Sequence, residues 1–219
     1  MIKVLEMLRK LEENIDHRGK DLFDKLIEYV EEQILSEKIK ETSSSKVYNT
    51  IKNILNRNKE SRPILSKVLY KDDAMYFTDS YIAFRLVGKD IIQGFPSPSD
   101  EKNYPNLDHI LNRYYDCNNT TTFECEELKK KIRLMNPSKI TIKNAKTMEI
   151  PFGNGTAYVN SKLLLDVITI LKFRNSDIIT IETYITSKPS DEPLFRPLYI
   201  KNTEDSIAVL MPLIKTKEL

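Results

Sequence analysis

Residues 158–171, YVNSKLLLDVITIL, decide how this chain is expected to fold. The stretch begins as an extended segment and continues, after an Asn-Ser pair, as an apolar helix. Either Asn160 or Ser161 can accept hydrogen bonds from the first unpaired backbone N–H groups, so each is a candidate N-cap. Polar residues recur every three or four positions from Lys162 to Lys172 and form one narrow stripe. The rest of the helix surface is apolar, which predicts a core helix in a domain of mixed α and β structure.

The first 43 residues have the pattern of two amphipathic helices. Apolar residues recur at helical spacing over 2–15 and 21–40, and His17-Arg18-Gly19 separates the two segments. This pattern predicts an αα-hairpin. Residues 1–42 hold eight basic and eleven acidic side chains, so the hairpin is acidic. A run of small polar residues follows, and we predict a boundary there, between an N-terminal hairpin at 1–43 and a second domain at 44–219.

The second domain is predicted to alternate between helices and antiparallel hairpins. Helices are expected at 46–57 and 125–134, before and after a stretch whose apolar residues have a period of two. Lys71-Asp72-Asp73 is predicted to be a hairpin turn, 94–106 a loop, and 107–115 either a short helix or an extended segment. Strands are expected at 64–70, 75–78, 81–87, 139–143, 147–151, 157–159, 178–186, 198–201 and 207–210.

Composition limits the classes of function. The formal net charge is only +2, which does not by itself predict binding to nucleic acid. With two cysteines, two histidines and no C-x-x-C motif, a zinc site is not expected, and no cofactor is predicted. The sequence has no apolar run of membrane-spanning length and no signal peptide, so we expect a soluble cytoplasmic protein.

Four segments carry a resemblance to a known family. They are 62–68 (RPILSKV), 77–81 (FTDSY), 104–111 (YPNLDHIL), and the central stretch taken with the ending 209–213 (VLMPL). In this order they resemble segments of the bacterial DNA polymerase sliding clamps, the beta subunit family. The resemblance implies an α+β fold, a sliding-clamp-like domain of helices packed on antiparallel sheets, here preceded by the helical hairpin. Family clamps repeat this domain three times, and this chain resembles a reduced, single-domain relative in which Ser80 replaces a family glycine.

The resemblance also implies a site, a hydrophobic slot that takes a short peptide from a polymerase or another replication protein. Met and Pro walls can admit a Leu or Phe anchor, and the Asn160 side chain can bond the peptide backbone. The alternative is that these residues are ordinary core and turn positions. The residues carried over to the slot are Thr78, Ser80, Tyr81, Ile82, Pro105, Ile110, Asn160, Leu163, Met211 and Pro212.

Basic residues on two predicted helices form a second candidate site. In clamps such helices face duplex phosphates without contacting the bases, and the resemblance therefore implies that Lys52, Arg57, Lys162 and Lys172 contact DNA. A solvated helix face is the alternative interpretation. One domain supplies too little arc to enclose a duplex, so such a role would require an oligomer.

Three functions remain open on the sequence. The first is a non-enzymatic replication protein, a processivity factor that binds partner peptides and, as an oligomer, duplex DNA. The second is a regulator or decoy of the same fold, from a phage or mobile element, that binds a host protein without encircling DNA. The third is an enzyme that holds Mg²⁺ with Asp72, Asp73 and Asp79, although turn and loop roles suit these carboxylates better and no acid–base partner stands nearby.

Overall fold

The computed structural model describes residues 20, 23–24, 26–27, 30, 45–113, 117–134, 141–142, 145–153, 155–173, 177–186 and 194–213. The chain divides into two compact units, Met1–Asn49 and Thr50–Leu219. Most of the predicted helical hairpin lies outside the described residues, and the boundary near residue 43 stays a prediction. Among the described residues, each helix is too short or too polar to cross a bilayer.

From residue 45 onward, the described residues form an α+β fold of four α-helices and twelve strands. The helices are α1 (Ser45–Asn56), α2 (Asp108–Leu111), α3 (Cys125–Leu134) and α4 (Ser161–Leu171). The strands are β1 (Leu69–Lys71), β2 (Ala74–Thr78), β3 (Ile82–Val87), β4 (Asn119–Glu124), β5 (Thr141–Ile142), β6 (Ala145–Phe152), β7 (Gly155–Asn160), β8 (Ile178–Thr183), β9 (Ile185–Thr186), β10 (Leu194–Phe195), β11 (Leu198–Lys201) and β12 (Ile207–Leu210).

A seven-stranded antiparallel sheet is the main layer, in the order β1-β2-β3-β12-β11-β8-β4. Both of its faces are apolar. On one face Phe77 stacks on Phe84, its partner across the β2–β3 pair, with ring centroids 4.5 Å apart. On the other face Tyr104, Leu107 and Leu111 cover the sheet and form a second apolar cluster. The segment that contains α2 is therefore held against the sheet by buried aromatic and aliphatic contacts.

The central helix α4 lies where the sequence pattern predicts it. Asn160 is its N-cap, and Oδ1 accepts hydrogen bonds from the backbone N–H groups of Lys162 (2.9 Å) and Leu163 (3.3 Å). The helix contacts β12 of the large sheet, β6 and β7 of a three-stranded sheet, and α3. Contact on several sides explains why apolar residues cover most of its surface.

A buried polar network ties three segments of the fold together. Asp90 ends a 3-10 turn after β3 and is fully buried. Its Oδ2 accepts hydrogen bonds from Asn202 Nδ2 (2.7 Å) and Ser206 Oγ (2.6 Å), at the two ends of the β11–β12 turn. Asn202 Nδ2 also donates to the carbonyl of Leu171 at the end of α4 (3.0 Å). Three side chains thus satisfy polar groups that the apolar core would otherwise leave unpaired.

The structure corrects the predicted strand at 64–70. Pro63–Ser66 forms a 3-10 turn instead, and β1 begins only at Leu69. Proline fixes φ in the first turn, and the Ser66 hydroxyl donates to the Pro63 carbonyl (2.7 Å). Leu65 is buried by this turn, so its apolar character reflects packing in a turn rather than alternation in a strand.

Two further strand predictions need correction. The strand predicted at 178–186 is interrupted at Tyr184, and β9 turns away to pair with β10, which was not predicted. The Asn118 amide holds this change of direction, because its Oδ1 accepts from the Ile185 N–H (3.0 Å). Strand β4 was also missed; its Thr-rich sequence alternates between half-buried and exposed positions at the edge of the sheet.

Candidate functional site

A cavity of about 470 Å³ opens beside the end of β2, and we call it the groove. Four segments form its walls: the Pro63–Ser66 turn, the β2–β3 connection, residues 105–110, and the end of β12. Apolar side chains dominate the lining. The lining residues are Arg62, Ile64, Leu65, Thr78, Ser80, Tyr81, Ile82, Ala83, Pro105, Leu107, Ile110, Val209 and Met211.

The groove brings together most of the residues predicted to form a slot. Thr78, Ser80, Tyr81, Ile82, Pro105, Ile110 and Met211 all line it. Asn160, Leu163 and Pro212 are not among its lining residues. Sequence reasoning missed Arg62, Ile64, Leu65, Ala83, Leu107 and Val209, although most of them belong to the segments that carry the resemblance.

The groove has a buried floor and an exposed apolar rim. Ile82, Leu107 and Val209 are almost fully buried and belong to the sheet and the packing beneath it. At the rim, Tyr81 is 66% exposed and Met211 is 47% exposed. Large apolar side chains that line a concave surface and face water are a feature of binding sites.

The β2–β3 connection, residues 79–81, is held by a carboxylate inside its own turn. Asp79 is 1% exposed, and its Oδ1 accepts hydrogen bonds from the backbone N–H groups of Tyr81 and Ile82, both at 2.9 Å. The Thr78 hydroxyl donates to the Ile82 carbonyl (2.7 Å) and accepts from the Ser80 N–H (3.0 Å). The side chains of Asp79 and Thr78 therefore set the positions of Ser80, Tyr81 and Ile82 in the wall of the groove.

Ser80 has a backbone conformation that favours glycine. Its φ is +77°, in the left-handed region where a Cβ is strained. Glycine would reach that conformation without the steric cost that a Cβ brings. Arg62 Nη1 donates to Ser80 Oγ (3.0 Å), so the hydroxyl gains a contact that glycine could not make.

The C-terminal wall of the groove is fixed by backbone hydrogen bonds. The Met211 N–H donates to the Tyr81 carbonyl (3.2 Å), and the Leu213 N–H donates to the Tyr158 carbonyl (2.7 Å). This segment therefore runs between the β2–β3 connection and β7, which ends at Asn160. Because Asn160 Oδ1 already caps α4, the predicted bond to a peptide backbone would have to come from its Nδ2 as a donor.

The predicted DNA-contacting residues differ in their surroundings. Lys162 is exposed and Lys52 half-buried. Lys172 Nζ lies 2.7 Å from Glu126 Oε1, and this bond raises the pKa of Lys172. Hydrogen bonds from Lys172 and from Lys129 together lower the pKa of Glu126 to about 2. Lys52 and Lys172 are therefore both half-buried, and Lys172, just after α4, also contacts a carboxylate of α3.

Arg57, the fourth of these residues, makes a forked contact with two carboxylates. Its Nη1 donates to Asp79 Oδ2 at 2.6 Å, and its Nη2 contacts Asp166 Oδ2 of α4. Partial burial lowers the pKa of the Arg57 guanidinium, but its hydrogen bonds to Asp79 and Asp166 outweigh this and raise it. The side chain is 26% exposed, so it lies at the edge of the surface, and each of its two terminal nitrogens contacts a carboxylate.

The acidic residues considered as magnesium ligands lie in turns. Asp72 and Asp73 have φ values of +50° and +54° and form the two central residues of the β1–β2 hairpin, as predicted. Asp79 uses both carboxylate oxygens within the protein. Among the described residues, no group of three or more His, Cys, Asp or Glu side chains is placed to hold a metal ion. Burial raises the pKa of the Cys125 thiol, which disfavours a reactive thiolate.

No protein-family model matches the chain, and no curated protein matches it significantly. In structure the chain is similar to the DNA polymerase sliding clamp from Bacillus subtilis, with 14% identity and a TM-score of 0.43 over 77% of this chain and 63% of the clamp. The fold resembles a bacterial sliding-clamp domain.

A second similar structure is the Helicobacter pylori beta clamp bound to a DNA ligase peptide. The identity is 17% and the TM-score 0.35, over 67% of this chain and 43% of that clamp. The chain thus spans less than two thirds of the length of either clamp. Both similarities concern the fold.

Proposed function

We propose that this protein is a non-enzymatic binding protein of DNA replication that holds a short partner peptide in the groove. The observation that carries the proposal is the groove itself. Thr78, at the end of β2, and Met211, after β12, both line it, although the two residues lie far apart in the sequence. Both belong to segments that resemble the peptide slot of sliding clamps.

The geometry of the groove suits an apolar anchor. A volume of about 470 Å³ lies within the range of about 300–1,000 Å³ that is usual for ligand sites. The buried floor offers apolar contacts, and Tyr81 and Met211 can cover an inserted Leu or Phe side chain. Methionine adapts its shape to different anchors, which suits a site that receives peptides from more than one partner.

Met211→Ala tests the proposal. The variant should bind a fluorescein-labelled clamp-binding peptide with a Leu or Phe anchor about 1–3 kcal/mol more weakly than the parent chain, because it loses one apolar contact at the anchor. Fluorescence polarisation measures the affinity. Since the Met211 side chain is 47% exposed, its removal should change the free energy of unfolding less than the free energy of binding.

The control for this variant is Leu134→Ala, which removes another exposed apolar side chain, 73% exposed and outside the groove lining. It should bind the peptide like the parent chain. If Met211→Ala lowered the free energy of unfolding as much as the free energy of binding, Met211 would be a core residue rather than a rim residue of the groove. No saturable binding by the parent chain at high micromolar concentration would mean that the fold is present without the peptide site.

Contact with duplex DNA is a second candidate function, favoured by the exposure of Lys162 at the start of α4. Loose contacts to phosphates would be independent of sequence, and affinity would fall steeply with added salt. Lys52→Glu combined with Lys162→Glu is expected to reduce DNA affinity at low salt and to flatten its dependence on salt, measured by polarisation with a labelled duplex. Arg57 and Lys172 stay unchanged so that the salt bridges from Arg57 to Asp79 and from Lys172 to Glu126 are retained.

A matched control carries Lys102→Glu and Lys130→Glu, at two exposed lysines that are not among the predicted DNA-contacting residues. That variant should keep the affinity and salt dependence of the parent chain. An equal loss of DNA affinity in the two variants would indicate non-specific electrostatic attraction rather than a DNA-binding surface formed by Lys52 and Lys162. Binding of the peptide without binding of DNA would favour the regulator or decoy function, in which the fold engages a host protein without encircling a duplex.

A further inference from the structure

The turn after α1 contacts the wall of the groove through three side chains. Arg57 Nη1 donates to Asp79 Oδ2 (2.6 Å), Asn58 Nδ2 donates to the Asp79 carbonyl (2.8 Å), and Arg62 Nη1 donates to Ser80 Oγ (3.0 Å). Of these partners, only the Asp79 side chain is a buried charge. Arg57 is therefore the cation that compensates the carboxylate inside the β2–β3 connection.

From these contacts we infer that Arg57 is a positioning residue for the groove, in place of the phosphate contact predicted for it. Its guanidinium holds the Asp79 carboxylate, and that carboxylate holds the backbone N–H groups of Tyr81 and Ile82. The chain of contacts ends in two residues that line the groove. The inference rests on the proposed function only where it treats the groove as a peptide site.

The connection needs such support because it is strained. Ser80 has a φ of +77°, and a residue with a side chain reaches that conformation at a cost that neighbouring contacts must offset. Asp79 can accept from Tyr81 and Ile82 only if its carboxylate stays buried in the turn. An uncompensated buried charge would instead move toward water and draw the turn open.

The second contact of the Arg57 guanidinium, with Asp166, explains why arginine suits this position. A planar guanidinium can donate to Asp79 with one nitrogen and to Asp166 with the other, whereas a lysine ammonium has no such fixed fork. Asp166 lies on the polar stripe of α4. Through Asp166, helix α4 thus orients the Arg57 side chain toward Asp79. Helix α4 begins beside the C-terminal wall of the groove.

Amide hydrogen exchange of the full chain tests the inference without any peptide. Arg57→Gln should accelerate exchange at Tyr81 and Ile82 by about tenfold or more relative to the amides of β8, because the turn opens locally. Asp166→Asn is the matched control: it removes the charge of the other partner of Arg57 but keeps an Oδ1 acceptor that can hold the guanidinium toward Asp79, so exchange at both amides should stay within about twofold. Unchanged exchange in Arg57→Gln, or equal acceleration in Asp166→Asn, would overturn the inference.

The double variant Arg57→Gln with Asp79→Asn separates positioning from general destabilisation. The side-chain amide introduced by Asp79→Asn retains an Oδ1 acceptor for the two backbone N–H groups, and a glutamine amide can pair with it without any buried charge. The double variant should therefore recover the slow exchange that Arg57→Gln alone loses. If Arg57→Gln fails to fold, the double variant decides alone: slow exchange at Tyr81 and Ile82 supports the inference, and rapid exchange or failure to fold overturns it.

Binding of the labelled clamp-binding peptide then tests whether the conformation of the β2–β3 connection affects the groove. Arg57→Gln should weaken peptide binding by about tenfold, and the double variant should restore it to within about threefold of the parent chain. A parent chain that does not bind the peptide would overturn the proposed function while the exchange experiment still decides the role of Arg57. A parent chain that binds, with Arg57→Gln binding equally well, would overturn the positioning role and leave the proposed function standing.

Discussion

A chain that carries both Tyr81→Glu and Ile110→Glu is expected to lose the labelled peptide almost entirely, with affinity reduced by about 100-fold or more. Both side chains line the groove, and they are 66% and 40% exposed. A peptide anchor that enters the groove would have to displace water from two carboxylates and bury them against apolar atoms, which is strongly unfavourable. Polarisation titration measures the loss.

The matched control for this variant is Tyr184→Glu with Ile178→Glu. The control makes the same chemical changes at two other exposed apolar positions, which are 41% and 48% exposed and outside the groove lining. The control should bind the peptide within about twofold of the parent chain, because exposed substitutions of this kind rarely change a distant site. If both double variants lose binding equally, the loss is not specific to the groove and does not support it as the peptide site. If neither variant loses binding, the peptide binds elsewhere.

The helices and hairpins of this fold were predictable where periodicity and turn chemistry agree. Helix α4 was predicted because a polar stripe interrupts an otherwise apolar sequence and Asn160 supplies a cap. The β1–β2 hairpin was predicted because Asp72 and Asp73 tolerate the left-handed conformation that a two-residue turn requires. These are local properties, set by residues close together in the sequence.

The errors occur where tertiary contacts decide the local structure. Alternation of apolar residues at 64–70 predicted a strand, but Pro63 and the buried Leu65 form a 3-10 turn whose apolar residues face the groove. The strand predicted at 178–186 stops early because the Asn118 amide, distant in sequence, accepts from the Ile185 N–H. No short-range pattern contains that contact.

The sequence could predict which segments form the candidate site. It could not predict which side chains contact each other within it. The resemblance placed Thr78, Tyr81 and Met211 at one slot, and all three line the groove. It implied a phosphate contact for Arg57, which stays a prediction; the structure adds contacts of its guanidinium to two carboxylates. One of them, Asp166, is over a hundred positions away in the chain, so the sequence could not indicate which charge Arg57 would meet.

The buried Asp90 network offers a stability test that is independent of the groove. The network holds the β11–β12 turn next to the end of β3, and β12 leads directly to Met211 in the groove wall. Asp90 Oδ2 accepts two hydrogen bonds, while Asp90 Oδ1 is buried and makes none within the part of the chain that the structure describes. One oxygen of this carboxylate therefore stabilises the fold, and the other is a buried polar atom that costs free energy.

Asp90→Ala is accordingly expected to lower the free energy of unfolding by about 2–5 kcal/mol, because it removes the acceptor of Asn202 and Ser206 and leaves both donors buried. Asp90→Asn keeps that acceptor and removes the buried charge, so its free energy of unfolding should lie within about 1 kcal/mol of the parent value. Urea denaturation measures both, provided that the slope of the transition is unchanged. If Asp90→Asn were as destabilised as Asp90→Ala, the negative charge rather than the shared acceptor would hold the turn.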